Sequence, residues 1–440
     1  MNETRHVETI LEGVLQPKTD EPVARIPFFV PAGSTRITLS YEHDAGHVID
    51  LGLQDVAGEA FPSHEGFRGW SGGARRRVFV ARDDATPGYL PGAIPSGTWH
   101  VLLGRADVRP PGCTYRVHVN VDVERQPGTN AREATQDAPA VDSDARRSDA
   151  VPPAAAPLDA PWFPGDLQAH THHSDAKGSL EELLAAAERR GLAYLAVTDH
   201  NTVSHHAALA RSTQTTLLAV PGMEVTTYHG HANVWGAEGW VDFRIASDAD
   251  VAWMVKRAHA LGGVVSINHP KTQPGCIGCD WEFAIPDGID AMEVWQGPWW
   301  LRNWESLARY DALLARGDRL TLVGGSDRHQ PAGEERDPDE LRVGSPTTWL
   351  QVDALTIPDV LAALRTGRAS VSATPNGPRL EVTAGSTPTG GTLPSGTWHD
   401  VEARVAGAAG ERLRWLGVNG VERDVVIDAD DFTDRYAWPA

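Results

Sequence analysis

The sequence predicts an α/β domain flanked on both sides by all-β regions. Three observations carry this reading. Helical patterns alternate with short apolar strands between about 163 and 323, short alternating runs fill the chain up to about 123, and β-like patterning returns after Pro378. At 440 residues the chain is too long for one ordinary core, so two or three domains are expected.

Residues 1–123 read as an N-terminal β-sandwich-like domain. Runs such as Ile26-Pro27-Phe28-Phe29-Val30 and Thr98-Trp99-His100-Val101-Leu102-Leu103 are separated by Gly, Pro and Asp clusters. Residues 124–160 are rich in Ala, Pro, Asp and Arg, with almost no large apolar side chain. Such a segment cannot bury enough surface to offset its ordering entropy, so a disordered linker is expected there. Residues 161–377 read as the α/β domain. Ser179-Leu180-Glu181-Glu182 is a capping box opening an amphipathic helix through Arg190, and Gly191 is placed to stop it. Ala193-Tyr194-Leu195-Ala196-Val197 follows as a buried strand. A helix near 248–261 leads to the strand Val264-Val265-Ser266-Ile267, and another near 301–316 leads to Leu320-Thr321-Leu322-Val323. Helix then apolar strand, repeated, is the pattern of a parallel sheet or barrel. Residues 378–440 read as a small C-terminal β domain. There Pro394-Ser395-Gly396-Thr397-Trp398-His399 repeats Pro95-Ser96-Gly97-Thr98-Trp99-His100. The repeat fits either two related modules or one shared turn-then-strand solution.

Charge and hydropathy exclude some partners. A net charge of −20 argues against nucleic acid, because backbone binding uses Lys and Arg to replace counterions. No apolar run reaches the roughly 18 residues that a membrane span needs. The N-terminus lacks a basic-then-apolar pattern, so a cytoplasmic location is expected. The three cysteines, Cys113, Cys276 and Cys279, are too few for a disulfide scaffold. Cys276-Ile277-Gly278-Cys279 has the spacing of half a zinc site or a redox pair, or holds two plain loop thiols.

Histidine is unevenly placed: 11 of 18 lie between 166 and 329, a window of 164 residues in 440. Within that window, polar residues fall where apolar strands end. Gln168-Ala169-His170 and Asp175 follow Leu167, Asp199-His200 follows Val197, and His269 follows Ile267. Glu224 follows Met223, His231 lies seven residues on, and Asp327 and His329 follow Val323. Strand ends of parallel α/β folds converge on one face, so these residues are expected to meet. Imidazole and carboxylate are ligands for Zn, Mn or Fe, which makes His170, Asp175, His200, Glu224, His231, His269, Asp327 and His329 candidate metal ligands. Eight ligands suit two or three ions better than one. Each residue alone has a structural reading, such as a capping role for Asp199-His200. His205 and His206 read as solvated surface residues of the following helix, and His259 as a mid-helix residue without a role. Lys271 and Arg328 flank ligands and are placed to contact an anionic substrate group or to form surface ion pairs. Trp295, Trp299 and Trp300 read as pocket walls or as packing.

Asp166-Leu167-Gln168-Ala169-His170-Thr171, Ser174-Asp175, Thr198-Asp199-His200-Asn201, Gly222-Met223-Glu224, Asn268-His269-Pro270 and Gly325-Ser326-Asp327-Arg328-His329 resemble the ordered motifs of the PHP (polymerase and histidinol phosphatase) superfamily. Gly230-His231-Ala232-Asn233, Met292-Glu293-Val294-Trp295 and Arg365-Thr366-Gly367-Arg368 resemble its CehA/McbA metallohydrolase branch. The resemblance covers about 163–378 and implies a distorted seven-stranded β/α barrel with a dinuclear or trinuclear site at its mouth. It implies His170 and Asp327 at a first ion, Glu224 as a bridge, His231 and His269 at a second, and Asp175, His200 and His329 at a third. The chain departs from the family at Gln168, where the pattern has His. Asn233 is a second point of ambiguity, because another alignment places it, in place of His231, opposite a family His. His172 and His173 stand close to the departure.

The activity expected is metal-dependent hydrolysis by a metal-bound hydroxide, with a phosphoester favoured and a carboxyl ester or carbamate as the alternative. The expected partner is a small-molecule ester. No side-chain nucleophile is evident, since no GxSxG elbow occurs. A reading of another class is a metal-containing binding protein without turnover, which Gln168 would support.

Overall fold

The computed structural model describes residues 4–17, 21–124, 160–212, 216–276, 278–330, 333–417 and 419–439. The linker expected at 124–160 therefore lies, apart from its two ends, outside the described residues.

The N-terminal region holds β1 (Thr4–Leu15), β2 (Val23–Val30), β3 (Ser34–His43), β4 (Val48–Gln54), β5 (Phe67–Trp70), β6 (Arg77–Ala81), β7 (Gly97–Asp107) and β8 (Cys113–Glu124). They form two four-stranded sheets, ordered β1-β8-β3-β6 and β2-β7-β4-β5. Alternation places Tyr115, Val117, Val119 and Val121 of β8 inward, where they meet Leu51, Leu53, Trp99 and Val101 from the other sheet.

The middle region holds β9 (Trp162–Asp166), α1 (Leu180–Arg189), β10 (Tyr194–Val197), α2 (His206–Arg211), β11 (Leu218–Thr227) and β12 (Gly230–Trp235). It continues with α3 (Asp248–Ala260), β13 (Val264–Ile267), β14 (Ala291–Gln296), α4 (Asn303–Arg316), β15 (Thr321–Gly325), β16 (Thr347–Gln351), α5 (Ile357–Thr366) and β17 (Ala369–Ser372). The capping box forms as its residues dictate. Glu182 N–H donates to Ser179 Oγ at 3.2 Å, and Ser179 N–H donates to Glu182 Oε2 at 2.8 Å.

One nine-stranded sheet runs β15-β14-β13-β12-β11-β10-β9-β16-β17, and its end strands approach each other so that it nearly closes. The sheet has nine strands where the resemblance implies a seven-stranded barrel. The two extra strands are antiparallel: β12 folds back on β11, and β16 lies between β9 and β17 with opposite direction to both. Parallel pairing survives across β9-β10-β11 and β13-β14-β15.

The N-terminal and middle regions share a core. Phe67 stacks on Trp240 with ring centroids 4.4 Å apart, and Trp70 packs on Phe243 at 4.6 Å. Ser63 N–H donates to the buried Asp242 carboxylate at 2.9 Å.

The C-terminal region is β18 (Arg379–Thr383), β19 (Trp398–Ala406), β20 (Arg412–Gly417), β21 (Gly420–Val426) and β22 (Asp431–Pro439). It forms a three-stranded sheet, β18-β19-β22, and a separate hairpin, β20-β21. Its core is small: Val405, Ala408 and Ile427, joined by a buried Trp415 Nε1–H that donates to Asp434 at 2.8 Å. Among the described residues no helix is long and apolar enough to cross a membrane.

Candidate metal centre

The strand-end logic delivers most of the site. His200 follows β10, His269 follows β13, and Asp327 and His329 follow β15. His170 continues from β9, held by its N–H to the Arg328 carbonyl at 2.9 Å. Glu224 and His231 arrive differently. They sit inside the antiparallel β11–β12 hairpin, where Thr226 pairs with His231 and Glu224 with Asn233. His269 and Asp327 have φ of 25° and 52°, a left-handed backbone that costs energy for a side-chain-bearing residue and concentrates at functional sites.

Glu224 is the hub. Its Oε1 lies 3.2 Å from His231 Nδ1 and 3.4 Å from His269 Nε2. Its Oε2 lies 3.0 Å from His200 Nδ1 and 3.3 Å from His170 Nε2. His170 Nε2 is also 2.8 Å from Asp327 Oδ1. Asp175 Oδ1 is 3.3 Å from His329 Nε2 and 3.5 Å from His200 Nε2. The eight residues picked from sequence thus converge on one centre. Three groups have donor atoms close enough together to hold an ion: His170, His200 and His329; Glu224, His231 and His269; and His170, Glu224 and Asp327.

The donor set fits metal ions. Nδ1 of His170, Nδ1 of His269 and Oε2 of Glu224 are buried without a hydrogen-bond partner among the described residues. Orphaned buried polar atoms are rare and costly, and ligation would satisfy them. Electrostatics points the same way. Burial pushes His200 down, but Glu224 and Asp175 outweigh it and raise its pKa to about 10. Burial likewise opposes His329, and Asp327 and Asp175 raise it to about 9. Burial lifts Glu224, yet His200, His231 and His269 hold it well below the usual carboxylate range. The carboxylates are therefore held ionised by the histidines around them.

Neighbouring groups fix the ligands. The Asp199 carboxylate accepts Thr171 N–H at 2.8 Å and Ser174 Oγ–H at 2.7 Å, which shapes the loop carrying Asp175. Gln168 Nε2 donates to Glu224 Oε1 at 3.2 Å and Asp327 Oδ1 at 3.3 Å. Gln296 Nε2 donates to Asp327 Oδ2 at 2.6 Å, and Asn268 Nδ2 to Glu224 Oε1 at 3.0 Å.

The centre opens into a cleft of about 1260 Å³. One wall comes from the N-terminal region through Asp50 and Trp70. Asp50 accepts a hydrogen bond from the Tyr228 hydroxyl at 2.6 Å, and burial raises its carboxyl pKa to about 6. Gly104 makes room for this pair, since a Cβ there would stand 2.1 Å from Tyr228 Oη. Arg75 of the same region donates to the Ser174 carbonyl at 2.8 Å, beside Asp175.

The structure corrects the reading of His205 and His206 and decides among the alternatives left open for the others. His205 and His206 are not bare helix-surface residues. His205 is buried, with Nδ1 3.2 Å from Asp199 and Nε2 3.1 Å from the Val197 carbonyl, and burial lowers its pKa to about 3. His206 Nε2 reaches the Gly222 carbonyl at 2.9 Å. Lys271 is off the cleft, in an ion pair with Asp280 at 2.9 Å. Arg328 lines the cleft but donates to Asp337 at 2.5 Å and to the Leu341 carbonyl at 2.7 Å. Trp295, Trp299 and Trp300 do not line it; Trp295 and Trp299 pack edge to face at 4.9 Å. Asn233 is buried and donates from Nδ2 to the Leu167 carbonyl at 3.4 Å. His172 and His173 turn away from the centre, His173 Nδ1 meeting Ser204 Oγ at 2.7 Å. Cys276 and Cys279 are joined in a disulfide at the cleft rim, the redox-pair side of the reading of their spacing.

Sequence reasoning missed Asp50, Gln296 and Arg75, and gave Asn268 no role. Asp50 sits in an ordinary alternating strand of another region, so only the fold brings it to the cleft.

The fold and centre define a class: a mixed α/β domain with a clustered His and carboxylate site at its strand ends. Within that class, comparison with known proteins gives partial likenesses. No family model matches the chain, and no curated protein matches it. Solved structures similar to it include a two-domain protein containing a predicted PHP-like metal-dependent phosphoesterase from Bacteroides vulgatus. That match has 16% identity and a TM-score of 0.40, and covers 64% of this chain and 88% of the other. A candidate metal-dependent phosphoesterase from Bifidobacterium adolescentis is similar at 19% identity and TM-score 0.29, covering 38% and 87%. An amidohydrolase from Chromobacterium violaceum is similar at 16% identity and TM-score 0.27, covering 41% and 93%. At these scores the likenesses assign no family to the chain, and the functional reading rests on the centre itself.

Proposed function

We propose that this protein is a metal-dependent hydrolase of small ester substrates, with phosphoesters as its substrate class. The observation that carries this is the interlocking of three ion-sized donor groups, which share His170 and Glu224, beneath an open cleft lined by His200, His231, His269, Asp327 and His329. The ordered motifs that resemble the PHP superfamily, and its CehA/McbA branch, support the same reading. Divalent ions held there, Zn, Mn or Fe, supply Lewis-acid polarisation of the scissile group and activation of water near neutral pH.

The chain's own residues supply the rest. His231 and His269 flank Glu224 on one side, and His200 and His170 on the other. Lys177 brings positive charge to the cleft lining, which suits an anionic phosphoester, whereas Arg244 and Arg328 line it paired with Asp242 and Asp337. The Trp295–Trp299 pair lies outside the lining, so the aromatic wall that would favour an apolar aryl ester is not built from it. Because His200 and His329 are proton-loaded at neutral pH without ions, metal loading should release protons and tighten as pH rises towards about 9 to 10. Calorimetry in buffers of different ionisation enthalpy reads this directly.

The assay is a panel of phosphomonoesters, phosphodiesters, aryl carboxyl esters and carbamates with the metal-loaded protein. Turnover confined to the phosphoesters is expected. Turnover confined to carboxyl esters or carbamates would reverse the substrate class. Metal retention with no turnover on any member would turn the reading into a metal-containing binding protein.

A further inference from the structure

The three candidate ion groups are not independent. The group of His170, Glu224 and Asp327 borrows His170 from one neighbour and Glu224 from the other, so Asp327 is its own contribution. Both oxygens of Asp327 already accept amide hydrogens. Oδ2 takes Gln296 Nε2–H at 2.6 Å, and Oδ1 takes Gln168 Nε2–H at 3.3 Å while facing His170 Nε2 at 2.8 Å.

The geometry points to a centre of two divalent ions, one among Glu224, His231 and His269 and one among His170, His200, His329 and Asp175. In it Gln168 and Gln296 hold Asp327 as a hydrogen-bonded carboxylate that orients His170 in place of binding a third ion. This rests on the metal-dependent reading above and specifies its stoichiometry.

The orientations of the bracing amides are set by their partners. The Asp327 carboxylate can only accept, so the Gln296 NH₂ faces it, and Gln296 Oε1 accepts from Thr272 Oγ1 at 3.0 Å. Asn268 Oδ1 accepts Asn233 N–H at 3.2 Å, so its NH₂ must face Glu224. Gln168 is fully buried and tightly packed; a Cβ on Gly325 would stand 2.7 Å from Gln168 Cβ. Turning the Gln168 amide would set its oxygen 3.2 Å and 3.3 Å from two carboxylate oxygens, a repulsion that the present orientation avoids. A neutral amide is thus the partner of these carboxylates where an imidazole would instead complete an ion's shell. A carboxylate that orients a ligating histidine is a recurrent partner of metal sites, and Asp327 is placed for that task.

The test is the count of bound ions, read by native mass spectrometry and elemental analysis after loading the full chain with Mn²⁺ or Zn²⁺ and desalting. Wild type is expected to hold two per chain. Gln168→His and the near-isosteric Gln168→Glu each replace the amide donor with a ligand, and each is expected to raise the count to three. Thermal melting confirms that the variants are folded, and Gln168→Glu decides if the His variant fails to fold. A wild-type count of three overturns the inference and leaves the hydrolase reading standing. A wild-type count below two overturns it as well, and a count of zero removes the hydrolase reading too. Folded variants that stay at two overturn the role given to Gln168.

Discussion

The same six residues, Pro-Ser-Gly-Thr-Trp-His, open β7 in the N-terminal region and β19 in the C-terminal region, and their tryptophans meet opposite fates. Trp99 is fully buried in the sandwich, with the Arg68 guanidinium 4.9 Å from its ring centroid. Trp398 is 69% exposed. The repeat encodes a turn and the start of a strand, and what surrounds it decides whether the tryptophan becomes core. The two regions differ in the same way as wholes. The N-terminal sandwich merges its core with the metal-bearing domain and lends Asp50 and Trp70 to the cleft. The C-terminal region buries only a few apolar side chains among its described residues, Ala403, Val405, Ala408, Trp415 and Ile427, and none of those residues lines the cleft.

That contrast can be broken at three points. Trp99→Ala should be the most damaging, removing about 3–5 kcal/mol of stability by leaving a large cavity in the sandwich core. Chemical denaturation would show it, and an effect below about 1 kcal/mol would mean the sandwich is not a cooperative part of the molecule. Tyr228→Phe should come next. It strips the half-buried Asp50 carboxyl of its hydroxyl donor across the interface, a loss of roughly 1 kcal/mol. Substrate KM should rise while the ion count stays fixed, which separates a wall residue from a ligand. Trp398→Ala should be the smallest, within about 0.5 kcal/mol, because the ring is exposed and packs on little. A large loss there would show that the C-terminal tryptophan is covered by something in solution.

Much of the centre was legible in the sequence because its ligands obey local rules. His170, His200, His269, Asp327 and His329 fall just beyond apolar β strands, and such positions converge when strands run parallel. Glu224 and His231 were legible as residues but not as geometry. Strand-end reasoning does not anticipate a hairpin, and β12 pairs antiparallel with β11. The same hairpin and the reversed β16 explain why the sheet has nine strands and not seven. Asp50 and Gln296 carried no signal, since a carboxylate in an alternating strand and an amide at the end of β14 look ordinary until the fold sets them against the cleft. The buried His205 was misread because helix position alone does not reveal that its imidazole turns inward to Asp199.

The central claim is that the His and carboxylate centre around Glu224 is a working metal site. Its most direct measurement is phosphoester turnover by the loaded protein, by the same protein after exhaustive chelation, and after ions are returned. The account predicts turnover that vanishes on chelation, returns with Mn²⁺ or Zn²⁺, and is absent from Glu224→Ala under every condition. Hydrolysis that survives chelation, or that persists in Glu224→Ala, would contradict it.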